Sequence, residues 1–525
     1  MSTDKSNNLD STGNIAQSAG LIGVGTLASR ILGFGRDIVI ARLFGIYIYA
    51  QAFVVAFRIP NLFRDLLGEG AANAAFVPVF SEYNIRHSKE EFWHLYNILL
   101  NILLIILSFL VLAGIIFAPF IVRLIAPGFM ASADKLQVTI RLTRIIFPYI
   151  LLISLSAYAM ALLNSLKHFS VPAFAPCLLN ISIIVCALVF GEGIKGLASG
   201  VLIGGILQLL VQVPVVYKKG FRFSFSLDFK HPAVRLIGKL MIPRILSSSI
   251  YQLNNFVDTF FGSLAWIVGE GGVAVLYFAY RLIQFPIGVF SNSLSQATLP
   301  TLSVQALGED HRQFKDTFSF SLRALFVVML PASFGFIALA KPIIITLFSG
   351  GRFDDYSVVT TARVLAFYSI GLVAYGGTKV IQSCFFALKD TKTPAKVAFI
   401  ALATNVILNS IFMFPFKISG IALATSLSAI LSFIVLFIYL HRRIGDLGAK
   451  QMSFYFLKIL IVSMLMGTIC YALSLRIGII PGHNLINFIK LVLIIICGII
   501  FYVLCCMLLK IEEAKKVCFW LFRRK

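Results

Sequence analysis

The chain has 525 residues, of which 59% are hydrophobic and 13% charged, and its mean hydropathy is +0.92; this composition excludes an ordinary soluble protein. Apolar runs of about 20 residues joined by short connectors would cross a bilayer roughly a dozen times or more. Its 45 Lys and Arg against 22 Asp and Glu give a formal charge of +23. In a polytopic membrane protein the first cause of such an excess is Lys and Arg gathered on cytoplasmic loops, ahead of any affinity for nucleic acid.

Apolar runs bounded by charge, Pro and Gly predict an all-α chain of about fourteen transmembrane helices. A polar N-terminal tail, 1–14, precedes an N-lobe, 15–217, with helices at 15–43, 50–83 (interrupted near Gly68), 92–118, 136–166, 172–190 and 196–217. A basic linker, 218–235, leads to a C-lobe, 236–441, with helices at 236–267, 272–302, 314–348, 356–388, 394–414 and 418–440. Region 442–510 holds an accessory pair, 454–475 and 485–509, before a basic tail, 511–525. The first apolar stretch is too long and too interrupted by arginine for a cleavable signal, so the first helix is expected to be retained.

Alternate connectors differ in charge. One set carries Arg86, Lys89, Lys167, the linker cluster from Lys218 to Arg244, Arg312, Lys315, Lys389, Arg442, Arg443 and the basic tail; the other holds only Arg123, Lys135, Lys195, Arg352, Lys417 and Arg476. With the tails this is about 25 basic residues against six, which predicts cytoplasmic N and C termini.

The chain also repeats. Leu166-Lys167 followed by Pro172-Ala173 recurs as Leu388-Lys389 followed by Pro394-Ala395, Arg141 is matched by Arg363 and Pro78 by Pro300, all 222 residues apart. Ala56-Phe57-Arg58-Ile59 matches Ala279-Tyr280-Arg281-Leu282 at 223, and Ile194 with Gly196 to Ala198 matches Ile418 with Gly420 to Ala422 at 224. Ordered matches at a near-constant offset predict two pseudo-symmetric six-helix lobes in one orientation, a transporter architecture.

Several charges fall inside the spans, where topology does not explain them. The first helix carries Arg30, Arg36, Asp37 and Arg42. An arginine at the bilayer centre costs about 2.5 to 3.5 kcal/mol on insertion scales, so these groups should face protein or water. Asp37 could pair with a neighbouring Arg. The second helix carries Arg58, Arg64, Asp65 and Glu69 beside Pro60, Gly68 and Gly70, a combination that predicts a broken helix at a cavity or hinge, with Arg64 and Glu69 either a structural pair or ligand groups. In the eighth helix Arg281 occupies the repeat position of Arg58. Guanidiniums with few nearby carboxylates suit phosphate or pyrophosphate, because each planar fork binds two oxygens and keeps its charge. The expected cargo is therefore an anion, met between the lobes.

Asp258, Asn405, Asn409 and Thr425 lie on the seventh, eleventh and twelfth helices, Asn405 and Asn409 on one face at i, i+4. Their oxygens suit a monovalent cation, and interhelical hydrogen bonding is the alternative. No Walker A, HExxH or G-x-S-x-G pattern occurs. The chain is thus expected not to be an enzyme, to need no cofactor, and to draw on Na+ or the membrane potential.

The segments SRILGFGRDIVIARLFG, VAFRIPNLFRDLLGEGAANAAFVPVFSEY, APGF, FPYILLISL and VPAFAPCLLNISI resemble the MurJ (MviN) family of bacterial lipid II flippases, of the multidrug/oligosaccharidyl-lipid/polysaccharide exporter superfamily. The resemblance implies two six-helix lobes plus two groove-forming helices, and outward movement of undecaprenyl-pyrophosphate-linked disaccharide pentapeptide by alternating access, required for peptidoglycan synthesis and cell shape. It implies substrate-binding roles for Arg30, Arg36, Arg64 and Arg281, with the acidic GEGA position at Glu69, and a cation-site pattern at Asp258, Asn405, Asn409 and Thr425, where Asn409 replaces an acid. The partners it implies are lipid II, membrane lipids and the cell-wall synthesis machinery, with no nucleic acid. Gln51, Ala274, Tyr280 and Gln284 depart from acids and Ser found in relatives, which leaves the arginines less neutralised. The alternative is a flippase or exporter of another polyprenyl-linked saccharide or a drug, for which a cationic cargo would favour carboxylates and aromatics.

Overall fold

The computed structural model describes residues 3–64, 75–191, 193–308, 311–482, 484–509 and 511; of these, 3–19, 242–251 and 484 are described by backbone alone. The first half contains α1 (Thr3–Phe44), α2 (Ile48–Phe63), α3 (Val77–Arg86), α4 (Lys89–Ile125), α5 (Ala133–Ile146), α6 (Tyr149–Ser165), α7 (Ser170–Phe190), α8 (Ile194–Leu210) and α9 (Val213–Lys218). The second contains α10 (Pro232–Gly262), α11 (Ala265–Val268), α12 (Gly272–Pro286), α13 (Asn292–Gln305), α14 (Arg312–Phe348), α15 (Asp355–Ile370), α16 (Leu372–Ala387), α17 (Lys392–Phe416), α18 (Ile418–Ile444), α19 (Ala449–Ile477) and α20 (Asn484–Leu508). A π-helical turn, Ile287–Ser291, joins α12 to α13 directly after Pro286.

Among the described residues ten helical stretches are long and apolar enough to cross a membrane, and eleven when α15 and α16, bent by 41° at Gly371, count as one span. The expected count of fourteen is not reproduced by this criterion. The expected first, second and seventh helices are not among them; the side chains of 3–19 and 242–251 and residues 65–74 lie outside the described residues. α1 also begins at Thr3, not Ile15. No proline stops it there, and a polar stretch without apolar periodicity leaves no hydropathy signal of a helix.

The repeat is written into the backbone. Lys167 and Lys389 both adopt φ 57°. At each, the amide three residues beyond the helix reaches back alike: His168 N–H donates to Leu163 O at 2.8 Å, and Asp390 N–H to Phe385 O at 2.8 Å. This reach-back closure satisfies carbonyls that a helix end leaves open. One helix later, Gly191 (φ 60°, ψ −137°) and Lys417 (φ 52°, ψ −135°) take the same turn. The fourth span of each half divides at the same place, between α5 and α6 at Pro148 and between α15 and α16 at Gly371. At the second division Ser426 on α18 donates to Phe367 O at 2.8 Å, covering a carbonyl freed by the bend.

Close helix pairing repeats too. On α8, Gly196, Gly200 and Gly204 form one stripe against α7, where a Cβ at Gly200 would lie 2.7 Å from the Ile183 Cα and one at Gly204 2.8 Å from the Leu179 Cα. Gly420 on α18 lies as closely against Phe412 O on α17. Small residues let membrane helices approach where no hydrophobic driving force separates protein from lipid.

Chain contacts define two units, Met1–Gln252 and Leu253–Lys525. The first has an aromatic core of Phe76, Phe80, Phe92, Tyr96 and Tyr158, in which Tyr158 donates to Tyr96 O at 2.9 Å. The basic linker belongs to this unit. In the second, α19 and α20 pack on α14: Gly467 lies against Phe334, and Tyr502 donates to Val327 O at 2.8 Å.

Candidate functional site

Within the first unit, Arg36 sits 4% exposed on α1, eight residues before its end, beside a fully buried Asp37. Its Nη2 and Nε donate to Asp37 Oδ1 at 2.7 and 3.1 Å, and its Nη1 donates to Asn180 Oδ1 at 3.2 Å. Asn180 is turned by its own amide, which donates to Ser29 O at 3.1 Å, so α7 holds both α1 and the guanidinium. The Phe57 ring of α2 lies 6.0 Å from the Arg36 Cζ, within cation–π range. An ionised arginine is tolerated at this depth because a carboxylate, an amide and a ring replace its water. Neighbouring Tyr149 lies within electrostatic reach of Arg36 and Arg64. Its hydroxyl is buried and has no hydrogen-bond partner among the described residues.

The other predicted groups of this unit are differently placed. Arg30 is exposed, one and a half turns before Arg36 on α1. Arg42 is half-buried in the last turn of α1, where a cation complements the helix C-terminus. Arg58 is half-buried on α2, two residues before Pro60, and Arg64 is half-buried at the end of that helix. The expected hinge residues Gly68, Glu69 and Gly70, with Asp65, lie outside the described residues. Gln51, at a departure from family pattern, is buried on α2.

In the second unit Arg281 is half-buried on α12, and its Nη1 donates to Gln284 Oε1 at 3.4 Å. The adjacent Tyr280 ring meets Tyr368 edge-on at 5.5 Å, and Ala274 is fully buried. The π-helical turn begins six residues after Arg281; such turns recur at functional sites.

Asp258, Asn405, Asn409 and Thr425, grouped by residue type, do come together. Thr425 Oγ1 lies 3.2 Å from both Asp258 oxygens, Asn405 Nδ2 donates to Thr425 Oγ1 at 3.1 Å, and Asn409 Nδ2 donates to Asn405 Oδ1 at 3.0 Å and Asp258 Oδ1 at 3.5 Å. All four are buried. The one Thr425 proton faces both Asp258 oxygens and Ile421 O, at 2.9 Å, and Asn409 Oδ1 is buried without a hydrogen-bond partner among the described residues. A carboxylate with hard neutral oxygens fits a monovalent cation.

Asn180 and Tyr149 were not singled out by motif. A lone Asn in the apolar run PCLLNISI, and a Tyr after the FP break, are the signals that mark them.

A multi-pass helical bundle that buries a guanidinium inside a span and divides into repeated units is a membrane transporter in class. The family described as "Lipid II flippase MurJ" matches residues 40–489, and the chain belongs to that family. It is 37% identical over 444 residues, 84% of this chain and 86% of the relative, to a probable lipid II flippase MurJ of Buchnera aphidicola subsp. Acyrthosiphon pisum. With the lipid II flippase MurJ of Burkholderia cenocepacia it shares 35% identity over 426 residues, 80% of this chain and 82% of that protein. Among solved structures, a lipid II flippase MurJ in an inward closed conformation superposes with a TM-score of 0.77 at 28% identity, covering 93% of this chain and 98% of that one.

Proposed function

We propose that this protein is a lipid II flippase, moving the polyprenyl-pyrophosphate-linked peptidoglycan precursor from the inner to the outer leaflet by alternating access. The observation that carries this is family membership across residues 40–489, which takes in Arg64, Arg281 and the whole Asp258 cluster. Arg30 and Arg36 lie just before that stretch, on the helix where a buried guanidinium is already built into the fold. These arginines, with Arg64 and Arg281, are proposed to bind the pyrophosphate-bearing headgroup, since permanently charged forks suit bidentate phosphate oxygens. The protein makes and breaks no covalent bonds in this role.

Asp258, Asn405, Asn409 and Thr425 are proposed to hold Na+, whose binding, with the membrane potential, supplies the energy. The basic connectors support an inner-membrane setting with both termini cytoplasmic. Cell-wall synthesis enzymes on the outer face are the proposed receivers of the product.

The test is depletion of the host flippase with leaflet-specific labelling of lipid II, complemented by wild type, Arg30→Ala or Arg281→Ala. Wild type should restore outward lipid II and the variants should not. Equal rescue by both variants would remove the arginines from the substrate site, and failure of wild type would remove lipid II as the cargo.

A further inference from the structure

The linker that sequence reading treats as a basic connector is held in place by α4. Asn97 Nδ2 donates to Arg222 O at 3.0 Å while Asn97 Oδ1 accepts from Ser224 N–H at 3.0 Å; one turn on, Asn101 Nδ2 donates to Ser224 O at 2.9 Å and Ser226 O at 3.1 Å. Two amides at i, i+4 thus act as the partner of an extended chain, since backbone groups of alternate residues, 222, 224 and 226, all turn to one side. Phe221 anchors the segment by packing between Trp93 and Tyr96.

Beyond that anchor the sequence alternates as FRFSFSLDF, and period two puts Phe223, Phe225, Leu227 and Phe229 in one row. All four are exposed, Phe223 by 53% and Phe225 by 73%. Such a row on an aqueous surface is unusual.

Its depth follows from α4. The exposed apolar side chains of that helix begin at Ile105 and end at Leu124, a length of about 29 Å at 1.5 Å per residue, which matches the hydrocarbon core of about 30 Å. Asn101 then lies about 6 Å beyond its edge, at headgroup depth, and Asn97 about 12 Å beyond it, on the aqueous side of the headgroups. The surrounding charge is one-sided: Lys218, Lys219, Arg222, Lys230, Arg235 and Lys239 are exposed, and the one acid among residues 218–239, Asp228, accepts from Lys230 N–H at 2.8 Å.

We infer that residues 222–230 form an interfacial membrane anchor: the aromatic row enters the headgroup region of the leaflet beside the linker, and the basic residues around it bind anionic phospholipid headgroups. Continuity with the lipid-facing belt of α4 and the charge complementarity select lipid as the occupant. The clamp by Asn97 and Asn101 sets the depth. This surface shares no residue with the proposed substrate groups and does not rest on the flippase reading.

The test uses the full chain in vesicles, with Phe225→Trp fluorescence read as the difference from wild type. In phosphatidylcholine containing phosphatidylglycerol, the added signal should be blue-shifted and quenched several-fold more by lipids brominated near the acyl carbonyl than by aqueous acrylamide. Removing phosphatidylglycerol, raising salt, or adding Lys218→Ser, Lys219→Ser, Arg222→Ser and Lys230→Ser together should each reduce the lipid quenching several-fold. Acrylamide quenching without lipid quenching in either membrane overturns the proposal and leaves the row to water or a protein partner. Lipid quenching that ignores phosphatidylglycerol and charge overturns the anionic-headgroup assignment.

Discussion

Replacing Asp37 by asparagine tests whether the Arg36 guanidinium meets the substrate or only supports the fold, because the two roles respond with opposite signs. The substitution keeps an oxygen that can accept the 2.7 and 3.1 Å bonds from Arg36 but removes the negative charge. Breaking a buried pair by losing one partner costs about 3 to 5 kcal/mol, and the retained amide oxygen and Asn180 should hold the loss near or below the lower end. Substrate affinity moves the other way. At an effective dielectric of about 20, a phosphate charge drawn toward the guanidinium to about 7 Å from the Asp37 carboxylate is repelled by that carboxylate by about 2 kcal/mol. Removing that repulsion should tighten binding of the pyrophosphate lipid about thirtyfold. Titration of purified protein with lipid II, followed by native mass spectrometry, reads the affinity, and thermal unfolding in the same detergent reads the stability. Asn180→Ala is the control: it loosens the guanidinium without changing the charge. If Asp37→Asn lowers the unfolding temperature but leaves lipid II affinity within about twofold of wild type, the electrostatic reasoning is wrong and Arg36 is structural.

Five other substitutions have definite expected outcomes. Lys417 takes the backbone conformation that glycine takes at 191, so Lys417→Gly should raise stability by about 1 kcal/mol in thermal unfolding, and a loss would contradict the left-handed turn. Gly200→Val must part α8 from α7 and should abolish folded yield in detergent extracts. Gly238→Ala, by contrast, meets nothing within 4 Å and should gain about 0.8 to 1 kcal/mol of helix propensity. For Asp390, burial opposes ionisation, but hydrogen bonds from Thr393 and the Arg443 guanidinium outweigh it and hold the carboxyl below its ordinary value. That stabilisation is complete above the unfolded carboxyl pKa of about 4 and is lost as pH falls through the depressed folded value. Asp390→Asn should therefore lower the unfolding temperature at pH 7 and flatten its acid decline. Asp258→Asn removes the only formal charge among the four proposed sodium ligands and should erase any sodium-dependent rise in unfolding temperature; an undiminished rise would place the ion elsewhere.

What could be read from the sequence depended on which physical signal each feature leaves. The repeat left matches at offsets of 222 to 224, and their cause is local: a left-handed residue at 167 and 389, a shared turn at 191 and 417, and a glycine contact at 196 and 420. Lys at three of these positions hides the turns, because glycine is the residue that advertises positive φ. The polar cluster in the second unit was legible because Asn405 and Asn409 share a helical face in an otherwise apolar run. The Arg36 partner on α7 was not, since 144 residues separate it from Arg36 and one asparagine carries no periodicity. The clamp on the linker was equally hidden: Asn97 and Asn101 share a face of α4, but their partners are backbone groups, which have no sequence signature.

Polar groups inside the helices show how function and hydropathy compete. Three helices concentrate them: α1, α2 with its C-cap, and α10. These are the helices that carry Arg30 and Arg36, Arg58 and Arg64, and Asp258. A polar group inside a span costs free energy that only internal partners or a hydrated surface recover. Arg36 recovers it through Asp37, Asn180 and Phe57, and Asp258 through Thr425 and Asn409. Arg30 is exposed instead, and on a membrane helix that exposure is sustainable only against water or a polar ligand. Exposure of a guanidinium on such a helix, beside burial of another six residues on, is the pattern expected where a span lines a hydrated path and not lipid.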